Sequence, residues 1–217
     1  IAATQARRGD FRQAAASLDR AMDLNPTRPG ILFLEGWVKE NLGELPEAIE
    51  LYRHHLEVHT DDVGTRRRLV GLLLRSDRPD DAYAEAKRVG EADRDNPESL
   101  QLQADLAFRT KRTAEGDRLL THLRLLSPGD PENTARALVV LARNGRGLEG
   151  ARLADEWAAH HPGQMAGPLL AVRAWSAAGL PDSAVTRARR ALAMAPDSTE
   201  PLRLLARALQ DGGHYAE

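Results

Sequence analysis

Residues 175–196 read WSAAGLPDSAVTRARRALAMAP and carry the signals of a helical hairpin. Gly179 ends one helix, and Pro181 suits the first turn of the next, because a proline there gives up no hydrogen bond. The second helix has very small residues at spacings of four and three, which places them on one face: Ala184, Ala188 and Ala191. A preceding antiparallel helix can approach that face closely, and Pro196 stops the second helix. We therefore expect Ala184 to be buried between the two helices of its hairpin.

This hairpin pattern returns every 34 residues without an insertion or a deletion. The turn position holds Gly9, Gly43, Asp77, Lys111, Gly145, Gly179 and Gly213. The small position holds Ala14, Ala48, Ala82, Gly116, Gly150 and Ala184, and the closing position holds Pro26, Thr60, Arg94, Pro128, Pro162 and Pro196. A fixed period with two helices per unit is typical of a helical solenoid. The sequence thus predicts a single all-α solenoid domain over residues 1–217 without β-strands, in the frames 1–28, 29–62, 63–96, 97–130, 131–164, 165–198 and 199–217.

The repeated unit resembles the tetratricopeptide repeat, whose signature ends in an alanine, an aromatic residue and a proline. The frame 29–62 matches at Leu32, Gly36, Gly43, Ala48 and Tyr52, with Thr60 at the usual place of proline. The frame 131–164 matches at Leu138, Leu141, Gly145, Gly150, Trp157 and Pro162. The frame 165–198 matches at Trp175, Gly179, Ala184, Ala188, Ala191 and Pro196. The resemblance covers the whole chain and implies a right-handed α-solenoid of antiparallel hairpins, with Trp157 and Trp175 in the core.

Composition excludes several classes of site. Hydrophobic residues make up 42% and charged residues 29%, a balance that favours a folded globular chain over a disordered one. The formal net charge of −2 favours neither nucleic acid nor an anionic membrane as a partner. The chain has no cysteine, which excludes disulfides and thiolate metal sites. No run of about 18 apolar residues indicates a membrane span, and no catalytic or cofactor-binding motif is present.

One pair of histidines offers an alternative metal site. His55 and His59 lie one helical turn apart, and Asp61 and Asp62 follow them. The competing interpretation is that His55 fills a position between helices and His59 favours a helix C-terminus through the helix dipole. Two histidines one helical turn apart are common, and this spacing alone does not indicate a metal site, so we expect no metal here. We expect no other cofactor either.

The resemblance also implies an inner face that is lined by the first helix of each hairpin and receives an extended peptide or another domain. Carried over by repeat position, it gives these candidate partner-binding residues: Trp37, Arg67, Arg75, Phe108, Arg109, Arg143 and Arg173. Glu40 and Asp105 fall on the same face. The position before the turn holds Arg7, Arg75, Arg109 and Arg143, which we call the arginine ladder. Arginine suits the recognition of carboxylates, so the ladder predicts an acidic partner segment with an apolar anchor.

The alternative for the ladder is structural. Arginines at that position can cap the C-termini of the first helices and pair with neighbouring acids, and the run of Arg66, Arg67 and Arg68 can simply be a solvated face. Some members of the family grip a terminal carboxylate with inner-face Asn and Lys, but the corresponding positions here hold Trp37, Gly71, Asp105, Val139 and Arg173. The resemblance therefore does not extend to that clamp.

The frame 63–96 departs most from the repeat pattern. Asp77 replaces the turn glycine, Arg66 takes a position that usually holds a bulky apolar residue, and Arg94 replaces the closing proline. We expect Ser76 or Asp77 to cap the second helix of this hairpin. We also expect the loosest packing and the fastest hydrogen exchange here.

These features predict a non-catalytic scaffold that binds a protein or peptide partner in its concave groove. The alternative is an accessory region of an enzyme, or of a secretion or exopolysaccharide-export component, and direct polysaccharide binding is a third possibility. The end frames are truncated, so we expect a larger protein or assembly. The Arg- and Ala-rich composition indicates a bacterial source. The sequence leaves the compartment unknown, and we expect a soluble protein of the bacterial cytoplasm or periplasm.

Overall fold

The computed structural model describes residues 1–24 and 30–213. These residues form thirteen α-helices and no strand: α1 (Ala2–Arg7), α2 (Phe11–Leu24), α3 (Ile31–Leu42), α4 (Leu45–Val58), α5 (Val63–Arg75), α6 (Pro79–Ala92), α7 (Pro97–Arg109), α8 (Thr113–Leu125), α9 (Pro131–Arg143), α10 (Gly147–His160), α11 (Ala166–Ala177), α12 (Pro181–Met194) and α13 (Thr199–Asp211). Consecutive helices pack as hairpins, as the 34-residue period predicts. The closing residue Pro26 and the frame start at Pro29 lie outside the described residues.

The helices group into two compact units, Ile1–Arg94 and Asp95–Glu217. The first unit contains the hairpins α1–α2, α3–α4 and α5–α6. The second contains α7–α8, α9–α10 and α11–α12, followed by α13. The single domain over residues 1–217 stays a prediction.

The small residues of the second helices are buried where the two helices of each hairpin pack together. Ala184, Ala188 and Ala191 have no exposed surface, which confirms the prediction for Ala184. Ala14, Ala48 and Ala82 are equally buried at the corresponding position. Around these contacts, Trp157 joins the main core of the second unit, and Trp175 packs half-buried against it.

The turn between the helices of a hairpin requires a left-handed backbone. Gly43, Gly145 and Gly179 adopt φ angles of 83°, 74° and 73° at this position. Asp77 and Lys111 adopt the same conformation, at 54° and 62°, although they carry side chains. The prediction that Ser76 or Asp77 caps α6 is wrong, because the chain needs Asp77 to make the turn. Arg78 precedes α6 instead and makes no side-chain capping bond.

The α5–α6 hairpin does not pack loosely, so that expectation is wrong. Leu69, Leu73, Ala82 and Ala86 have no exposed surface. Arg66 is itself buried, because its guanidinium bonds to the Glu85 carboxylate at 2.6 Å and to the Thr60 carbonyl at 2.7 Å. A buried ion pair thus replaces the apolar contact of the usual repeat, and Arg66 is not part of a solvated face.

Candidate partner-binding site

The ladder arginines end the first helices of their hairpins. Arg75, Arg109 and Arg143 are the last residues of α5, α7 and α9, and all three are exposed. A positive charge there interacts favourably with the helix dipole, which is the structural role that the sequence left open. Because the ladder is divided between the two units, its alignment along one groove stays a prediction.

Arg75 belongs to a small polar cluster in the first unit. Its guanidinium lies 3.9 Å from the Glu40 carboxylate, which also accepts a hydrogen bond from the Tyr52 hydroxyl at 2.8 Å. Burial, and then the bond to Glu40, raise the pKa of Tyr52. The Arg68 guanidinium lies 3.5 Å from the same carboxylate, while Arg67 lies exposed on the same helix. Glu40 is therefore a carboxylate that the protein itself places beside the ladder residue Arg75 and beside Arg68.

The two candidate aromatic residues are half-buried and contact their own units. Trp37 packs edge-on against Phe11, with ring centroids 6.0 Å apart. Phe108 packs against Gly116 of α8, where an added Cβ would lie 2.6 Å from the ring. The Arg146 guanidinium covers the Phe108 ring at 4.6 Å. Both aromatics thus support hairpin packing, and a contact with a partner stays a prediction for each.

An apolar groove of about 250 Å³ opens between α9 and α11 in the second unit. Its lining consists of small and aliphatic residues with a single charged member: Ala135, Leu138, Val139, Ala142, Gly147, Gly150, Leu170, Arg173, Ala174 and Ala177. Val139 is 41% exposed, although it is aliphatic. A groove below the roughly 300–1,000 Å³ of sites for drug-sized ligands is suited to one or two partner side chains.

Arg173 marks the polar end of this lining. It lies on α11, and its guanidinium donates to the Glu200 carboxylate at the start of α13. The side chains of Arg173 and Glu200 are 57% and 40% exposed, so water reaches both partners of the pair. The groove therefore combines an apolar surface with an accessible guanidinium.

The histidine pair forms part of a buried polar contact. His55 is buried, its Nε2 lies 3.0 Å from the Asp62 carboxylate, and its ring lies 4.5 Å from that of His59. Burial raises the pKa of Asp62, but bonds from the Thr65 hydroxyl and amide and from His55 outweigh it and lower the pKa to about 2. No cluster of three or more metal-ligating residues occurs within residues 1–24 and 30–213.

Comparison with solved structures and families agrees with this fold. A tetratricopeptide repeat protein from Parabacteroides merdae superposes with a TM-score of 0.62 at 14% identity, over 98% of this chain and 84% of that one. The sequence model of the tetratricopeptide repeat family matches residues 41–106. The chain has the tetratricopeptide repeat fold, and the family match in sequence covers its residues 41–106. No curated protein sequence matches it.

Two further solved structures share the tetratricopeptide repeat fold of this chain. PilW, described as a widely conserved type IV pilus biogenesis factor, has a TM-score of 0.53 at 18% identity and covers 94% of each chain. MamA from Desulfovibrio magneticus has a TM-score of 0.57 at 16% identity, over 76% of this chain and 93% of that one. At these identities the likeness shows the fold alone. Among the described helices, none has the length and apolar character that crossing a bilayer requires.

Sequence reasoning on this tetratricopeptide repeat array missed most of the groove. Val139 and Arg173 share one repeat position and were both assigned to the inner face, but only Arg173 was a candidate. No other two lining residues share a repeat position, so no repeated pattern indicated an open groove. Glu200 had no signal of its own, because its role depends on a contact with the preceding repeat.

Proposed function

We propose that this protein is a non-catalytic scaffold whose second unit binds a protein or peptide segment on the face formed by α9 and α11. The tetratricopeptide repeat fold generally serves protein–protein interaction and is typically non-catalytic. The observation that carries the proposal is the α9–α11 groove, where Val139, Ala142 and Ala177 stay exposed beside the Arg173 guanidinium. The larger bacterial protein or assembly in which it acts stays a prediction.

The chemistry of the groove indicates the kind of segment. An apolar side chain gains free energy by leaving water for the surface of Val139, Ala142 and Ala177, which are the exposed apolar residues of the lining. Arg173 on α11 supplies one positive charge. The exposed Arg143, which follows the lining residue Ala142 on α9, supplies another. An acidic segment with an aliphatic or aromatic anchor complements this surface better than a basic one.

A peptide selection tests the proposal. A random twelve-residue library is selected on the purified chain, and the recovered pool is then measured on two variants. Val139→Asp places a charge in the groove and is expected to weaken binding of the pool at least tenfold, about 1.4 kcal/mol. Leu125→Asp is the matched control, because Leu125 is 66% exposed at the end of the second helix α8, away from the groove lining.

The two variants must keep the helical circular dichroism of the unchanged chain for the comparison to count. Retained binding by Leu125→Asp with a loss in Val139→Asp supports the proposal. A pool that binds Val139→Asp as tightly as the unchanged chain would show that the contact surface lies elsewhere.

A further inference from the structure

We infer that Glu200 is an internal competitor for Arg173, and that the partner segment displaces it with an aspartate or glutamate next to its apolar anchor. This inference rests on the proposed function and adds to it the chemistry that selects the partner. It makes the groove selective for a carboxylate at a defined distance from the anchor, rather than for acidic segments in general.

The composition of the groove places the two parts of the segment. Arg173 is the only charged residue among the ten that line it. A partner side chain that fills the space beside Val139 therefore brings its neighbours along the chain close to one guanidinium. That guanidinium already holds a carboxylate, since it donates to Glu200. The resident pair shows that the position accommodates a carboxylate group.

The accessibility of the pair makes exchange feasible. More than half of the Arg173 side chain and two fifths of the Glu200 side chain are exposed. An ion pair of this kind is weak, because water and salt screen it. A partner carboxylate that an apolar anchor holds near Arg173 has a high effective concentration there, so it can compete with Glu200. Because the Arg173–Glu200 pair is exposed, the exchange does not carry the desolvation cost of a buried pair.

The repeat itself supplies a matched control. Glu132 is the second residue of α9, as Glu200 is of α13, and the two are 68 residues, or two periods, apart. Glu132 pairs with Arg136 of its own helix at 3.5 Å and does not line the groove. Glu132→Gln therefore removes the same charge from the same repeat position without freeing Arg173.

The experiment repeats the library selection on Glu200→Gln, Glu132→Gln and Arg173→Gln. We expect Glu200→Gln to bind the pool selected on the unchanged chain about two- to fivefold more tightly. We expect peptides selected on it to be enriched in Asp or Glu within four residues of an apolar residue. Glu132→Gln is expected to leave affinity and enrichment unchanged, and Arg173→Gln is expected to remove the enrichment of Asp and Glu within four residues of the apolar residue.

The outcomes separate this inference from the proposed function. If binding depends on Val139 but Glu200→Gln leaves it unchanged or weakens it, Glu200 is not a competitor and the inference is overturned while the proposed function stands. The inference also fails if Glu132→Gln tightens binding equally, since the effect would then be long-range charge. If binding does not depend on Val139, the proposed function fails first.

Discussion

Single residues of this chain carry backbone strain that the repeat pattern makes visible. Asp77 and Lys111 occupy the turn position in a left-handed conformation, where the other five repeats have glycine. A side chain in this conformation costs about 1–2 kcal/mol, and Asp tolerates it better than Lys does. The sequence shows that Asp77 and Lys111 replace the turn glycine. Only the backbone angles show that the turn keeps its left-handed geometry and that these two residues are therefore strained.

We expect Lys111→Gly to raise the free energy of unfolding by about 1 kcal/mol and Asp77→Gly to raise it by less. Relief of the strain outweighs the greater freedom that glycine gives the unfolded chain. Urea unfolding measures both values. Gly145→Ala is the reverse control, since Gly145 has a φ of 74°, and it should lower the free energy. A loss of stability in Lys111→Gly would contradict the assignment.

Asp62 makes the free energy of unfolding of the first unit depend on pH. Its pKa is lowered to about 2 in the folded chain, so its stabilising contribution is complete above the ordinary pKa of about 4 and is lost as the pH falls towards 2. Asp62→Asn should keep the cap of α5, because Asn96 caps α7 at the same repeat position. We expect the variant to be about 1 kcal/mol less stable at pH 6, a value discounted because the Asp62 side chain is 35% exposed.

Urea unfolding of both proteins between pH 6 and pH 2 measures this difference. The two free energies should converge as the pH falls below 4, because the folded and unfolded Asp62 then both become protonated. A difference that stays constant down to pH 2 would show that the charge on Asp62 plays no part.

At the scale of the helix and the hairpin, the sequence predicted most of the fold. The 34-residue period located every hairpin between residues 30 and 194, since glycine, proline and small residues act locally on the backbone. The period did not predict the burial of Arg66. Its partner Glu85 lies 19 residues away on the next helix, and the sequence around Arg66 does not indicate that the two residues pair. Contacts between helices determine such details, and the repeat pattern does not record them.

Two glycines at one repeat position should respond oppositely to the same substitution. An added Cβ on Gly150 would lie 3.6 Å from Leu138 and Leu141, an ordinary contact, so Gly150→Ala should stabilise α10 by about 0.5–1 kcal/mol. On Gly116 it would lie 2.6 Å from the Phe108 ring, which Arg146 covers, so Gly116→Ala should cost about 1–3 kcal/mol. Thermal and urea unfolding measure both. Equal effects would show that Phe108 moves aside without penalty.

At the scale of the whole molecule, the sequence predicted the class of the fold and part of the candidate site. Arg173 came from the inner-face pattern, but the groove depends on several small residues together, and no one of them indicates a site. Glu200 entered through a contact between α11 and α13 that repeat position alone does not give. A binding surface of this kind is a property of neighbouring repeats, whereas the signature describes one repeat at a time.

The prediction that residues 1–217 form one domain can be tested through the coupling of its repeats. In a solenoid the stability of each repeat depends on its neighbours, so a destabilised hairpin lowers the protection of the next one. Gly116→Ala destabilises α8 in the second unit, and a single domain should then show faster hydrogen exchange in α5 and α6 of the first unit as well. Mass spectrometry of the exchanged peptides measures each helix separately, and Gly150→Ala serves as the variant in which exchange should slow. Unchanged protection of α5 and α6 in Gly116→Ala, with faster exchange confined to the second unit, would show two domains that unfold independently.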